Sequence, residues 1–168
     1  GKTVENYIDT RLHGDLMISL RPPADNWEKS WRKNNESHPL VNKWKFLGLG
    51  ICVDDLETAS CYYSKLGYER VEERKVRKEW KITSEEFHVS DVVFELIKAE
   101  KDSIYKSSLA QRGEGVAEMI FQVSDLKAEI NLLEIKGTKI LNVSDDKKVA
   151  YIDSCRKGNL LTRLIEKE

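Results

Sequence analysis

What this sequence has little of narrows its class first. No apolar run approaches the ~18 residues that a membrane-spanning helix needs. Its apolar runs, such as Val92-Val93-Phe94 and Ile120-Phe121, are strand-sized. Neither sign of charge is in excess, with 28 Lys and Arg against 29 Asp and Glu for a net of −1. A near-neutral chain lacks the positive field that nucleic-acid phosphates demand, so neither nucleic acid nor a membrane is an expected partner. The cysteines, Cys52, Cys61 and Cys155, are odd in number and lack paired metal-site spacing. No apolar signal segment opens the sequence, so a reducing, cytoplasmic setting is expected, with the thiols as small packing residues. No phosphate loop, CxxC pair or Ser-His-Asp spacing is present. Hydrophobic residues at 40% nonetheless suffice for a core, and 168 residues suit one domain.

What is present is an internal repeat. Val53-Asp54-Asp55-Leu56, followed by Tyr62-Tyr63 and Gly67, recurs 70 residues later as Val123-Ser124-Asp125-Leu126, followed by Leu132-Leu133 and Gly137. Each copy reads as an apolar strand, an Asp placed to cap a helix, a helix with one apolar face, and a Gly that stops it. Leu56, Ala59, Tyr63 and Leu66 fall at helical spacing in the first copy, and Leu126, Ile130 and Leu133 in the second. Alternating segments then predict antiparallel strands at 68–76, 79–88 and 91–99, and again at 138–143, 148–153 and 159–166. Turns are expected at Ser144-Asp145-Asp146 and Lys157-Gly158-Asn159. Each unit is therefore β-α-β-β-β. A lone sheet of this kind leaves one apolar face bare, so the two units should pair around a shared cup. The predicted class is α+β: two paired β-α-β-β-β modules forming a cup-shaped mixed sheet, with an N-terminal extension.

Residues 1–45 lie outside the repeat. The stretch 14–20 reads as an edge strand, and Asp25 caps a short helix carrying Trp27 and Trp31. This arm either packs onto the domain or serves as a dimer contact or lid. Other candidates are plainer. His88 reads as a surface or packing residue, and His13 and His38 lack partner spacing. The mixed charges Glu72-Glu73-Arg74-Lys75 and Arg77-Lys78-Glu79 read as a solvated hairpin, and Gly113-Glu114-Gly115 as a turn.

Leu49-Gly50-Ile51-Cys52-Val53-Asp54-Asp55-Leu56, with Ala59, Tyr62, Tyr63 and Leu66-Gly67 behind it, resembles the opening of the vicinal oxygen chelate superfamily. That group includes glyoxalase I, methylmalonyl-CoA epimerase, extradiol dioxygenases and bleomycin-resistance proteins. The later stretch resembles the epimerase branch: Phe94-Glu95-Leu96-Ile97, then Ser103, Leu109, Gly113-Glu114-Gly115-Val116, Phe121, Val123 and Asp125-Leu126. The resemblance runs from about Trp44 to Glu166. It implies a glyoxalase-like domain at 46–168, with module one at 46–100, a partly helical linker at 101–114 and module two at 115–168. It also implies a cup that usually holds a divalent metal, which binds vicinal substrate oxygens and stabilises an enolate-like intermediate.

The departures carry the functional expectation. Where the epimerase-like pattern has a His two positions before Gly-Ile-x-Val, this chain has Gly48. Where the second module supplies a His before Ile-x-Phe, it has Glu118, and a Glu near the end of the last strand is replaced by Arg163. Glu95 keeps the family's acidic position. Gly48 and Glu118 are 70 residues apart, the same position of the repeat. A guanidinium stays protonated and repels a metal cation, so no metal and no cofactor are expected. Arg163 instead neutralises the two carboxylates through charge-assisted hydrogen bonds. Alternation puts Glu95, Glu118, Gln122 and Arg163 on a common wall, with Gly48, Gly50 and Cys52 leaving the cup open on the fourth side. Glu118 and Glu95 are the candidate catalytic bases. Arg163, Gly48 and Gln122 are the candidate substrate-binding residues. Three readings stay open: an isomerase or lyase relative (methylmalonyl-CoA epimerase-like or lactoylglutathione lyase-like) acting on a small oxygen-rich or acyl-thioester substrate; a non-catalytic small-molecule binding or sequestering module of the bleomycin-resistance type; and a buried ion-pair network that holds no ligand. A homodimer is expected.

Overall fold

Two aspartates begin the two long helices in the same way. The computed structural model describes residues 6–15, 17–20, 33–34, 43–71, 73–153 and 160–167. Helix α1 (Leu56–Lys65) starts where the Asp55 carboxylate accepts from the Glu57 and Thr58 amides. The Lys106–Arg112 segment forms α2. Helix α3 (Leu126–Ile135) starts where Asp125 accepts from the Ala128 amide. Both long helices stop at glycines in the left-handed region, Gly67 at φ +85° and Gly137 at φ +76°. Beyond each stop the chain bonds back to the same place, Tyr68 N–H to Tyr63 C=O and Thr138 N–H to Leu133 C=O, again 70 residues apart. The cap, apolar face and stop expected from the repeat are all present.

The strands, in chain order, are β1 (Asn6–Asp9), β2 (Met17–Leu20), β3 (Lys45–Cys52), β4 (Glu69–Arg70), β5 (Lys75–Arg77), β6 (Ile82–Val89), β7 (Val92–Ala99), β8 (Gly115–Val123), β9 (Ile140–Val143), β10 (Val149–Ile152) and β11 (Leu161–Glu166). Nine of them form one mixed sheet in the order β4-β6-β7-β3-β8-β11-β10-β9, with β5 also on β6. The seam is the antiparallel pair β3–β8, flanked by the parallel pairs β3–β7 and β8–β11. Gly48 faces Ile120 and Gly50 faces Glu118, so the repeat offset of 70 maps each pair onto the other. The seam is a pseudo-two-fold axis, and the fold is the α+β pairing of β-α-β-β-β units expected from the sequence.

Three differences have local causes. The strand expected over 68–76 is split into β4 and β5, both on β6, around the charged run that follows Val71. The strand expected to begin at Glu79 begins at Ile82, because Lys78–Trp80 makes a 3-10 turn closed by Lys81 at φ +54°. The stretch expected as an edge strand over 14–20 is strand only from Met17, and it pairs with β1 in a separate two-stranded hairpin. The Trp27/Trp31 helix, His38, Cys155 and the turn at 157–159 lie outside the described residues.

Apolar side chains fill both faces of the sheet. Leu56, Ala59 and Tyr63 of α1 pack with Ile51, Val53, Phe87 and Leu96. Leu126 of α3 packs with Val123, Ala150, Ile152 and Leu164. Cys52, Trp80, Ile97, Tyr105, Tyr151 and Leu161 fill the concave side. Among the described residues no helix is long and apolar enough to cross a membrane.

Candidate functional site

The pleat decides what meets inside the cup. In the parallel pairs Gly50 lies beside Glu95 and Ile120 beside Arg163. Since Gly50 and Ile120 are equivalent in the repeat, Glu95 and Arg163 are equivalent too. Glu118 is equivalent to Gly48. Alternation turns Glu95, Glu118 and Arg163 to the concave side, where all three are buried at 2%, 0% and 3% exposure.

Their contacts form one network. The Arg163 Nη2 donates to Glu95 Oε2 and lies 2.9 Å from Glu118 Oε1. Arg77 Nη1 donates to Glu95 Oε1 at 2.5 Å. Tyr105 Oη donates to Glu118 Oε2 at 2.8 Å. The Arg163 guanidinium carbon lies 5.9 Å from the centre of the Tyr151 ring, and the Trp80 ring meets Tyr151 edge-on at 4.7 Å. Four buried polar atoms of this cluster, Glu118 Oε1, Arg163 Nε, Tyr151 Oη and Trp80 Nε1, carry no hydrogen bond.

The two carboxylates are driven apart. Burial alone would raise Glu95, but the guanidinium groups of Arg163 and Arg77 outweigh it and hold the carboxyl at about 2. Burial raises Glu118, and the nearby Glu95 charge adds to it against the pull of Arg163, leaving it at about 6. Burial, then the Glu118 charge, raises the Tyr105 hydroxyl well above its ordinary value. The same two causes push the Cys52 thiol up to about 12, so it is a neutral packing group. Arg163 is raised further by the two carboxylates, although burial opposes that, and is charged at every ordinary pH.

The structure thus brings together Glu95, Glu118 and Arg163 from the sequence-predicted set. Gly48 and Gln122 stand elsewhere. A Cβ at Gly48 would fall 1.9 Å from the Val93 carbonyl oxygen, and one at Gly50 would fall 2.4 Å from Glu118 Cγ. The fourth side expected to be open is filled, by the β7 backbone at Gly48 and by Glu118 itself at Gly50. Gln122 lies four residues beyond Glu118, about 13 Å along an extended strand, half-buried and opposite Lys45 and Ile165.

Sequence reasoning missed Arg77, Tyr105 and Tyr151 as partners. Arg77 sat in a run of mixed charge, and only the pairing of Arg77 with Ile82 on β6 shows that it turns inward. Tyr105 falls in the 101–114 stretch, which reads in the sequence only as a linker. Tyr151 had a readable signal, an aromatic opposite the Arg163 position in an alternating hairpin.

Paired β-α-β-β-β modules whose inner and last strands converge charged side chains on one cup define a protein of the glyoxalase type. The chain belongs to the Glyoxalase/Bleomycin resistance protein/Dioxygenase superfamily, whose family model matches residues 49–154. No curated protein matches it. Among solved structures it is similar to methylmalonyl-CoA epimerase from Mycobacterium tuberculosis, at 23% identity over 73% of this chain and 87% of that one, with a TM-score of 0.62. A hypothetical protein from Bacillus halodurans is similar at 17% identity over 74% and 95%, with a TM-score of 0.62. A Streptomyces coelicolor methylmalonyl-CoA epimerase variant in complex with 2-nitronate-propionyl-CoA is similar at 22% identity over 75% and 99%, with a TM-score of 0.61. At these identities the likeness shows the fold.

Proposed function

We propose that the protein is a metal-independent isomerase or lyase relative that moves a proton on a small oxygen-rich or acyl-thioester substrate. The supporting observation is the Glu118–Arg163 pair: a buried carboxylate poised near 6, with one oxygen lacking a hydrogen bond, beside a fixed guanidinium. A base works best with a pKa close to the working pH. Ionised Glu118 takes the proton from the carbon next to a carbonyl, the electron pair moves onto the carbonyl oxygen, and Arg163 stabilises that oxyanion. Glu118 then returns the proton to the adjacent carbon of the enediolate, which completes an isomerisation; return to the original carbon from the same side gives exchange alone. Glu95, held ionised by two guanidinium groups, is the counter-charge that fixes Arg163 and not a second base.

The four positions the family uses around its metal do not fit a divalent cation here. Gly48 offers no donor and no room for one, and Arg163 occupies both carboxylates with a positive charge. Millimolar Mn²⁺ or Co²⁺ should therefore leave the melting temperature unchanged. A rise of several degrees would overturn the metal-free reading.

The near-zero exposure of Glu118 favours a second reading, a binding or sequestering module without turnover. A ligand reaches that carboxylate only when side chains over it move, and Tyr105, whose hydroxyl bonds to it, is the first of these. A small-molecule partner, a homodimeric assembly and a cytoplasmic setting belong to both readings. Incubation with methylmalonyl-CoA and related acyl thioesters in D₂O separates them. Deuterium entering next to the thioester carbonyl, lost by at least about 100-fold in Glu118→Gln, supports the enzyme. Thermal stabilisation by a ligand without exchange supports the binding module, and neither effect leaves an ion-pair core.

A further inference from the structure

Residues 7–20 repeat residues 151–164. Tyr7-Ile8-Asp9 matches Tyr151-Ile152-Asp153, and Gly14, Leu16 and Leu20 match Gly158, Leu160 and Leu164. These are six identities in fourteen positions, all at one offset of 144, and Thr10/Ser154, Asp15/Asn159 and Met17/Leu161 are close in character. The pairing repeats as well. Asn6 faces Leu20, Tyr7 faces Ser19 and Ile8 faces Ile18, as Ala150 faces Leu164, Tyr151 faces Arg163 and Ile152 faces Thr162. The two hairpins share sequence, register and loop length.

They differ in their surroundings. Strand β11 is paired on both sides, antiparallel with β10 and parallel with β8. Strand β2 has β1 on one side and, among the described residues, no strand on the other. A two-stranded hairpin is marginal alone, and an open edge presents a row of unsatisfied backbone groups. This one is seated on module one. Tyr62 Oη donates to the Asp9 carbonyl at 2.8 Å, the His13 and Tyr62 rings lie 4.5 Å apart, and Ile18 packs onto the cluster beneath α1.

We propose that β1–β2 is the closing hairpin of a further β-α-β-β-β module lying N-terminal to residue 6 in the same polypeptide, and that the open edge of β2 receives that module's first strand, as β11 receives β8. The occupant is thus a parallel apolar strand followed by an Asp-capped helix. Gly115 precedes Tyr151 by 36 residues, so this strand starts about that far ahead of Tyr7.

The test compares this 168-residue chain with the natural polypeptide carrying everything its reading frame encodes upstream. The frame should encode such a strand and helix. The amides of Met17–Leu20 not bonded to β1 should then exchange with deuterium at least about 100-fold more slowly in the longer protein. An upstream frame too short to encode such a strand and helix ahead of Gly1, or exchange equal in both proteins, overturns the proposal. So does a slowing in the 168-residue chain that grows with protein concentration, since a second copy would then occupy the edge. A graft tests the equivalence independently: residues 7–18 placed over 151–162 leave Arg163 and Leu164 in place. A cooperative melt close to that of the parent supports the proposal, and an unfolded graft counts against it.

Discussion

Burial, two guanidinium groups and the repulsion between the two carboxylates hold Glu95 and Glu118 in different protonation regimes, and the consequence is measurable. Glu118, raised to about 6 from an ordinary 4.5, binds its proton more tightly in the folded chain than in the unfolded one. Its contribution is complete below pH 4.5 and is lost as pH rises through 6, a loss on the order of 2 kcal/mol. Glu95, lowered to about 2, works in the opposite sense, with stability present above pH 4.5 and lost as pH falls towards 2. Denaturation of Glu118→Gln should therefore lack the decline between pH 4.5 and 6 while keeping the one at acid pH. Arg163→Glu places a third buried carboxylate beside two others and should cost about 3–5 kcal/mol; an unchanged melting curve would show that Arg163 does not carry the network. Gly48→Ala drives a methyl group into the Val93 backbone and should cost roughly 1–3 kcal/mol. Gly50→Ala meets the Glu118 side chain, which Tyr105 and Arg163 hold in the buried network, and should cost a comparable amount. The departures at Gly48, Glu118 and Arg163 were legible in the sequence through the family resemblance, and the repeat showed that Gly48 and Glu118 are equivalent positions. Whether the glycines left a cavity was not legible, because that depends on how closely β7 approaches β3.

Among the elements, the helices were the most legible and the outer strands the least. A helix announces itself through a cap, a period and a stop, all within a dozen residues. Asp55 accepts three hydrogen bonds from the first turn of α1, and Asp125 accepts one from that of α3. Asp125→Ala should cost about 1 kcal/mol, and Asp55→Ala should lower the melting temperature further. Equal losses by differential scanning calorimetry would contradict that order. The region between α1 and β6 resisted reading because its alternation is carried by charged residues. Arg74 reaches the buried Glu85 and Arg77 reaches Glu95, so part of what looked like a solvated hairpin supplies cations to both faces of the sheet.

For the whole molecule, the seam between β3 and β8 governs stability, since every other strand of the large sheet is connected through it. Amides of Leu49–Cys52 and Ala117–Ile120 should be the last to exchange, and those of β4 and β9 among the first; a seam that opened before the outer strands would show that the halves fold as separate units. The same axis bears on symmetry. Were the halves two identical chains, each Glu95 would face another Glu95 across the cup, two like charges in a dry interior. Within one polypeptide, one copy can be arginine while its twin remains acidic, a central charge pair that an assembly of identical subunits could not form.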